Sequence, residues 1–185
     1  MISRRTFIAA GAATLATPAL AQQAFQINPI FLPQSVRIDP ALAANQILIV
    51  PRAHFLYFIT EPGRARRYGV GVGKAGLEFT GTASIDVKKE WPTWRPTNEM
   101  IEREPEAYSK FVDNDYVQPG GPGNPLGARA LYLFQNGRDT YFRIHGTTAP
   151  RSIGRSVSNG CIRMINDHVI DLYQRVPIGT KVTVL

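Results

Sequence analysis

The sequence predicts a mainly β domain carrying short helices. Three observations carry that prediction. Apolar runs rich in β-branched and aromatic residues recur along the chain from Gln46 to Leu185. Turn signals separate them, among them Glu61-Pro62-Gly63-Arg64 and Asn136-Gly137. Only one stretch, Asn166 to Val176, has an extended helical period. The chain has 185 residues, 44% hydrophobic and 19% charged, which suits one globular domain and excludes a disordered chain.

The first 21 residues stand apart. Ser3-Arg4-Arg5-Thr6-Phe7 is a twin-arginine pattern leading into the uncharged stretch Ile8 to Leu20. Ala19-Leu20-Ala21 fits a small-x-small cleavage site. Residues 1–21 therefore read as a Tat-type signal peptide, and the mature protein is expected in the periplasm. The formal charge of +7 would drop to +5 on cleavage, since only Arg4 and Arg5 are lost. That balance favours an anionic partner, and export argues against nucleic acid.

Residues 22–45 read as an N-terminal tail or linker, with little content in 22–35. The folded domain is expected over residues 46–185. Gln46 to Val50 and His54 to Thr60 form a hairpin around Pro51-Arg52-Ala53. Arg67 to Gly73 continues as a glycine-rich strand. Gly71-Val72-Gly73-Lys74-Ala75-Gly76 matches G-x-G-x-x-G, but strand and turn residues follow where a dinucleotide loop needs a helix. Its glycines are better read as relieving crowding in a sheet. No cofactor is expected.

Ala83 to Lys89 is a further strand. Trp91-Pro92-Thr93-Trp94 cannot be regular, and is either a rigid loop on the core or one wall of a cleft. Thr97 to Glu104 predicts a short helix. Glu104-Pro105 opens a second, with Tyr108, Phe111 and Val112 on one face. Gln118 to Gly127 reads as a long surface loop. Ala130 to Gln135 and Tyr141 to His145 form a hairpin turned over Asn136 to Asp139. Asn166 is the expected N-cap of the helix whose Val169, Leu172, Tyr173 and Val176 share one face. Lys181 to Leu185 is a last strand. His54 and His168 read as structural or solvated, and no metal-ligand spacing occurs.

The chemistry concentrates between His145 and Arg163. Cys161 is the only cysteine, and His145 lies sixteen residues upstream at a strand end. In an oxidising compartment structural cysteines come in pairs, so a lone one is a free thiol or an intermolecular bridge, unless it is a small buried hydrophobe. Ser158-Asn159-Gly160 ahead of it does not look like core. An imidazole in reach could stabilise a Cys161 thiolate or take its proton during attack, then protonate a leaving amine. A backbone carbonyl is a candidate to orient the ring. The backbone N–H groups of Gly160 and Cys161 are placed to hold a tetrahedral oxyanion. Arg163 either binds a substrate carboxylate or pins the loop.

Ile144-His145-Gly146-Thr147 followed by Ser158-x-Gly160-Cys161-Ile162-Arg163-Met164 resembles the signature of the L,D-transpeptidase catalytic-domain (YkuD-like) family. The resemblance extends from about Gln46 to Leu185. It implies a β-sandwich of mixed sheets with short helices. It implies Cys161 as nucleophile, His145 as proton donor and acceptor, and the Gly146 carbonyl orienting the ring. Gly160 would supply an oxyanion N–H, and Arg163, Ser158, Asn159 and Trp94 would contact substrate. The implied partners are peptidoglycan stem peptides. The acyl-enzyme would be resolved by the amine of a second stem in 3→3 cross-linking, by water in carboxypeptidase or endopeptidase action, or by a lipoprotein lysine. A wall-binding domain without turnover is the non-enzyme alternative. Asn159 departs from the family, many of whose members carry His there.

Overall fold

The computed structural model describes residues 25–185. The signal-peptide expectation for residues 1–21 falls outside them. Eleven strands are described: β1 Gln34–Arg37, β2 Gln46–Val50, β3 Phe55–Glu61, β4 Arg64–Gly69, β5 Val72–Gly73, β6 Gly81–Glu90, β7 Arg129–Gln135, β8 Arg138–His145, β9 Ser156–Ser158, β10 Ile162–Arg163 and β11 Lys181–Val184. Two α-helices join them, α1 Asn98–Arg103 and α2 Asn166–Arg175. The mainly β expectation with short helices holds.

Nine strands form one mixed sheet in the order β1-β4-β3-β2-β11-β6-β7-β8-β10, and β5 with β9 forms a small parallel pair. Within the large sheet, β10 runs parallel to β8 and β11 parallel to β2, while the other pairs are antiparallel. The sheet folds back on itself. The Arg163 N–H donates to the Gly71 carbonyl at 2.8 Å and the Gly71 N–H to the Arg163 carbonyl at 2.9 Å. Thus β10, at one end of the strand order, meets the chain leaving β4 near the other. Ile47, Leu56, Tyr68, Ile85, Leu131, Ile144, Ile162 and Met164 fill the space enclosed, all buried in one cluster. That burial is the main driving force for the fold.

Helix α2 closes the cluster with Val169, Leu172 and Val176, as its periodicity predicts. Its C-terminal carbonyls are capped by Lys88, whose Nζ donates to the Tyr173 and Val176 oxygens at 2.6 and 2.7 Å. Hairpin β7–β8 turns on Asn136 and Gly137 alone, both at positive φ, 53° and 73°. That is the geometry a two-residue Asn-Gly turn adopts. Arg138 and Asp139, expected in the turn, are already paired with Gln135 and Phe134.

Three expectations are corrected. Residues 25–45, the described part of the expected tail, are not simply a tail. β1 pairs with β4, and Phe31 sits so close over Gly69 and Gly154 that a Cβ at either would strike it. The polar, proline-bearing sequence hid this because an edge strand needs no apolar alternation. The helix after Pro105 is only a 3₁₀ turn, Ser109–Phe111. Arg95 captures the carbonyls of Phe111, Asn114 and Tyr116 at 3.1, 2.6 and 2.7 Å, holding the following chain in an irregular path. Asn166 is the first residue of α2 rather than its N-cap, which is Ile165.

His168 is buried on the first turn of α2, and its Nδ1 has no hydrogen-bond partner. Burial lowers its pKa, Asp167 and Asp171 oppose the shift, and Arg66 adds to it. An unfolded histidine takes up its proton near pH 6.5, whereas the folded one stays neutral to lower pH. The unfolded state therefore binds more protons in that window, and stability falls as pH drops below about 6.5. His145, lowered to about 4, acts with the same sign. The urea midpoint should be lower at pH 5 than at pH 7.5, and the gap should shrink in His168→Leu. An unchanged gap in that variant would contradict the assignment.

Candidate active site

The site is built on the parallel pairing of β8 and β10. Ile162 lies opposite Ile144 and Arg163 opposite His145. Both isoleucines point into the core. Because side chains alternate along a strand, Arg143, His145, Cys161 and Arg163 are placed on the other face. All four line one cleft of about 1100 Å³. A separation of sixteen residues in sequence thus becomes a diagonal step between neighbouring strands.

Each reactive group has a defined partner. His145 is buried, and its Nδ1 contacts the Gly146 carbonyl at 2.5 Å. A carbonyl only accepts, so Nδ1 carries the proton and Nε2 keeps its lone pair. Burial pushes the imidazole down to about 4. The Gly146 and Leu126 backbone oppose that shift, and the Arg163 and Arg143 charges reinforce it. Cys161 is half-buried, and its Sγ donates to the Tyr141 carbonyl at 3.8 Å. Burial raises its pKa, against the Arg143 backbone N–H and the charges of Arg143 and Arg163. Both groups are therefore neutral at pH 7. Among the described residues the sulfur makes no hydrogen bond to the imidazole.

The Tyr141 carbonyl reaches the sulfur because β8 bulges. Phe134 pairs with Asp139 but Tyr132 with Arg143, and Tyr141 sits at φ 62°. Bulges of this kind re-aim backbone beside functional sites. The bulge is braced by a two-pronged Arg143–Asp139 pair at 2.6 and 2.8 Å, with the guanidinium 4.0 Å from the Tyr132 ring centroid.

The turn that carries Cys161 has its own bracing. Ser158, buried, donates its hydroxyl to the Cys161 carbonyl at 2.6 Å and accepts the Gly160 N–H at 3.1 Å. Gly160 adopts φ 117°, and a Cβ there would strike the Phe142 ring and the Leu77 carbonyl. This position therefore excludes every other residue type. The G-x-G-x-x-G pattern finds its use here. A Cβ on Gly73 would press on the Gly160 and Glu78 backbone at 3.0 Å, and the Lys74 N–H donates to the Ser158 carbonyl at 2.9 Å. No helix opens in that loop.

The Gly160 N–H, expected as an oxyanion donor, is bonded to the Ser158 hydroxyl, and the Cys161 N–H has no partner among the described residues. The Ser158 hydroxyl, expected to contact substrate, is engaged within the turn. Asn159 lines the cleft with its amide engaged at both ends: Nδ2 donates to Tyr108 Oη at 2.9 Å, and Oδ1 accepts from Arg103 Nη2 at 3.2 Å. It ties the α1 segment to the turn. Trp94 does form a cleft wall, packed edge-on to Phe111 with ring centroids 5.1 Å apart, while Trp91 lies exposed outside the cleft. Arg163 enters the cleft, and its side chain makes no hydrogen bond among the described residues.

Sequence reasoning missed Arg143, Tyr108 and Arg103. Arg143 was within reach, standing two residues before His145 in an alternating run and hence on its face. Arg103 comes from the end of α1 and Tyr108 from the irregular chain just after it, and neither carries a sequence signal that points to the site.

The chain matches the model of the YkuD family, the L,D-transpeptidase catalytic domain, over residues 44–184, and it belongs to that family. It is 31% identical to the "Probable L,D-transpeptidase ErfK/SrfK" of Escherichia coli, over 85% of this chain and 49% of the relative. It thus spans about half that relative's length. A crystal structure from Brucella melitensis, described as a "Probable carnitine operon oxidoreductase caia", is 55% identical with a TM-score of 0.57, covering 86% of this chain and 96% of that one. An L,D-transpeptidase from Mycobacterium smegmatis, 19% identical, shares the fold with a TM-score of 0.54 over 76% of this chain and 58% of that one.

Ser158→Ala should remove both braces of the turn. The expected cost is about 1–3 kcal/mol of stability, read from urea denaturation, with slower alkylation of Cys161 by iodoacetamide at pH 7. Unchanged stability and thiol reactivity would show that the turn holds itself.

Proposed function

We propose that this chain is an exported cysteine L,D-transpeptidase acting on peptidoglycan stem tetrapeptides through a thioester. The observation that carries the reading is the placement of Cys161 and His145 on one face, inside one cleft, with the imidazole's proton fixed on Nδ1. The twin-arginine pattern in residues 1–21 supports export to the periplasm. Residues 46–185 carry the catalytic machinery.

Substrate entry turns the Cys161 Sγ–H from the Tyr141 carbonyl toward His145 Nε2. Sulfur attacks the carbonyl after the third stem residue as its proton passes to Nε2, so no thiolate need exist beforehand. The new S–C bond leaves an oxyanion that accepts the Cys161 N–H. Such a donor is worth about 3–4 kcal/mol. Collapse breaks the C–N bond, and the imidazolium protonates the departing D-Ala amine. A side-chain amine of a second stem then attacks the thioester and gives its proton to His145. The C–S bond breaks, and the thiol is restored.

The surrounding charges fit an anionic donor. Arg163 is free to take a stem-peptide carboxylate, and Arg103, held by Asn159, stands beside it around Tyr108. Trp94 offers an aromatic wall to the stem. Hydrolysis of the same acyl-enzyme, or its transfer to a lipoprotein lysine, uses the same residues and differs only in the acceptor.

Incubation of residues 22–185 with disaccharide-tetrapeptide should give 3→3 dimers and free D-Ala by mass spectrometry. Cys161→Ala should give neither, and His145→Ala should slow both by at least about a hundredfold. Tripeptide without dimers would select the hydrolytic reading. Absence of any product, together with no covalent carbapenem adduct on Cys161, would overturn the thiol assignment.

A further inference from the structure

Beneath His145 lies a polar group that the reaction scheme does not use. Asn166 opens α2 with its side chain turned back under the site. Its Oδ1 accepts the Ala128 N–H at 3.1 Å and the Thr147 N–H at 3.2 Å. The two donors come from different loops. Thr147 follows the His145-Gly146 pair, and Ala128 follows Leu126-Gly127. The Gly146 and Leu126 backbone are the groups that act on the imidazole, both favouring its protonated form. One oxygen therefore fastens both loops that bracket the ring.

The packing around that oxygen is specific. Gly127 and Gly146 press against it so closely that a Cβ on either would overlap Asn166 Oδ1. Gly127 is held at φ 64°. The Gly146 N–H is bound separately, to the Arg129 carbonyl at 3.0 Å. The Gly146 peptide is thus tied at its N–H, and the next N–H is tied by Asn166, so its carbonyl has one direction left, toward Nδ1 of His145. Leu126 to Ala128 and His145 to Thr147 are all buried. Unpaired N–H groups there would carry the full desolvation cost.

We propose that Asn166 is the positioning residue for the general base: it fixes the imidazole tautomer through the loops it ties. It touches neither substrate nor sulfur. An error in the Gly146 carbonyl direction would let the proton move to Nε2, leaving no base facing the cleft. The same tie excludes water from beneath the ring and so preserves the lowered pKa. The catalytic part of this inference rests on the transpeptidase reading. The tautomer part stands without it, because it can be read in the resting protein.

The test uses ¹⁵N-labelled protein, with the His145 ring nitrogens read by NMR across pH 3.5–8, beside the rate of carbapenem acylation. Wild type should show Nδ1–H, Nε2 unprotonated, and a titration near 4. Asn166→Leu should show mixed tautomers, a titration moved toward 6.5, and acylation at least tenfold slower. Asn166→Asp keeps an oxygen for both N–H groups. It should keep the Nδ1–H tautomer and acylate within about threefold of wild type. If Asn166→Leu does not fold, Asn166→Gln decides, because it displaces the same oxygen by one methylene and should show the same defects in milder form. Wild-type tautomer and rate in the folded Leu variant, or in Gln where Leu does not fold, would overturn the proposal. So would a folded Asp variant as defective as Leu. If wild type itself does not acylate while the tautomer changes as expected, the transpeptidase reading fails and the positioning role stands.

Discussion

The parallel pairing of β8 with the two-residue strand β10 is the constraint on which the site depends. A single register, Ile162 opposite Ile144, commits two isoleucines to the core and, by alternation, Cys161 and His145 to the cleft. A slip of one residue would bury the sulfur and expose the isoleucines. The hydrophobic cost of that slip, roughly 1.5–3 kcal/mol for each large aliphatic side chain, makes the core the guardian of the chemistry. So short a strand could not hold its place by ladder bonds alone. It is clamped on both sides, by Met164 N–H to the His145 carbonyl at 2.8 Å and by the Gly71–Arg163 pair.

Several polar groups that look reactive in the sequence are spent on bracing. Ser158, Asn159 and Gly160 precede the sulfur in the chain, yet their hydrogen bonds run to one another, to the Cys161 carbonyl, to Lys74, to Tyr108 and to Arg103. Asn159 suits this bracing role. A planar amide offers a donor and an acceptor at once, and both are used. Arg163, Trp94 and Cys161 line the same cleft, and the Arg163 side chain makes no hydrogen bond among the described residues.

The strands and the main helix were legible in the sequence because they bury one face and so carry a period, as β2, β3, β6 and α2 show. Hairpin β7–β8 was legible because Asn-Gly specifies its turn. β1 was not, since an edge strand with little burial has no period to read. The segment from Pro105 to Val117 was misread because a single arginine, Arg95, organises it from outside. Among site residues, Cys161 and His145 announced themselves by type and spacing. Asn166 was recognised as a polar residue at a helix start, the common place for a cap, but its bonds run to two distant loops that sequence distance conceals.

Burial by this sheet leaves a neutral thiol and a neutral imidazole in one cleft, so in the proposed reaction the proton moves during attack and not before it. Ultraviolet titration at 240 nm reads this directly, since Cys161 is the sole cysteine and a Cys161→Ser protein supplies the blank. Thiolate absorbance should be missing from pH 5 to 8 and should rise only above the ordinary thiol value of 9.0. A thiolate step below pH 7 would reveal a preformed thiolate–imidazolium pair and contradict the account.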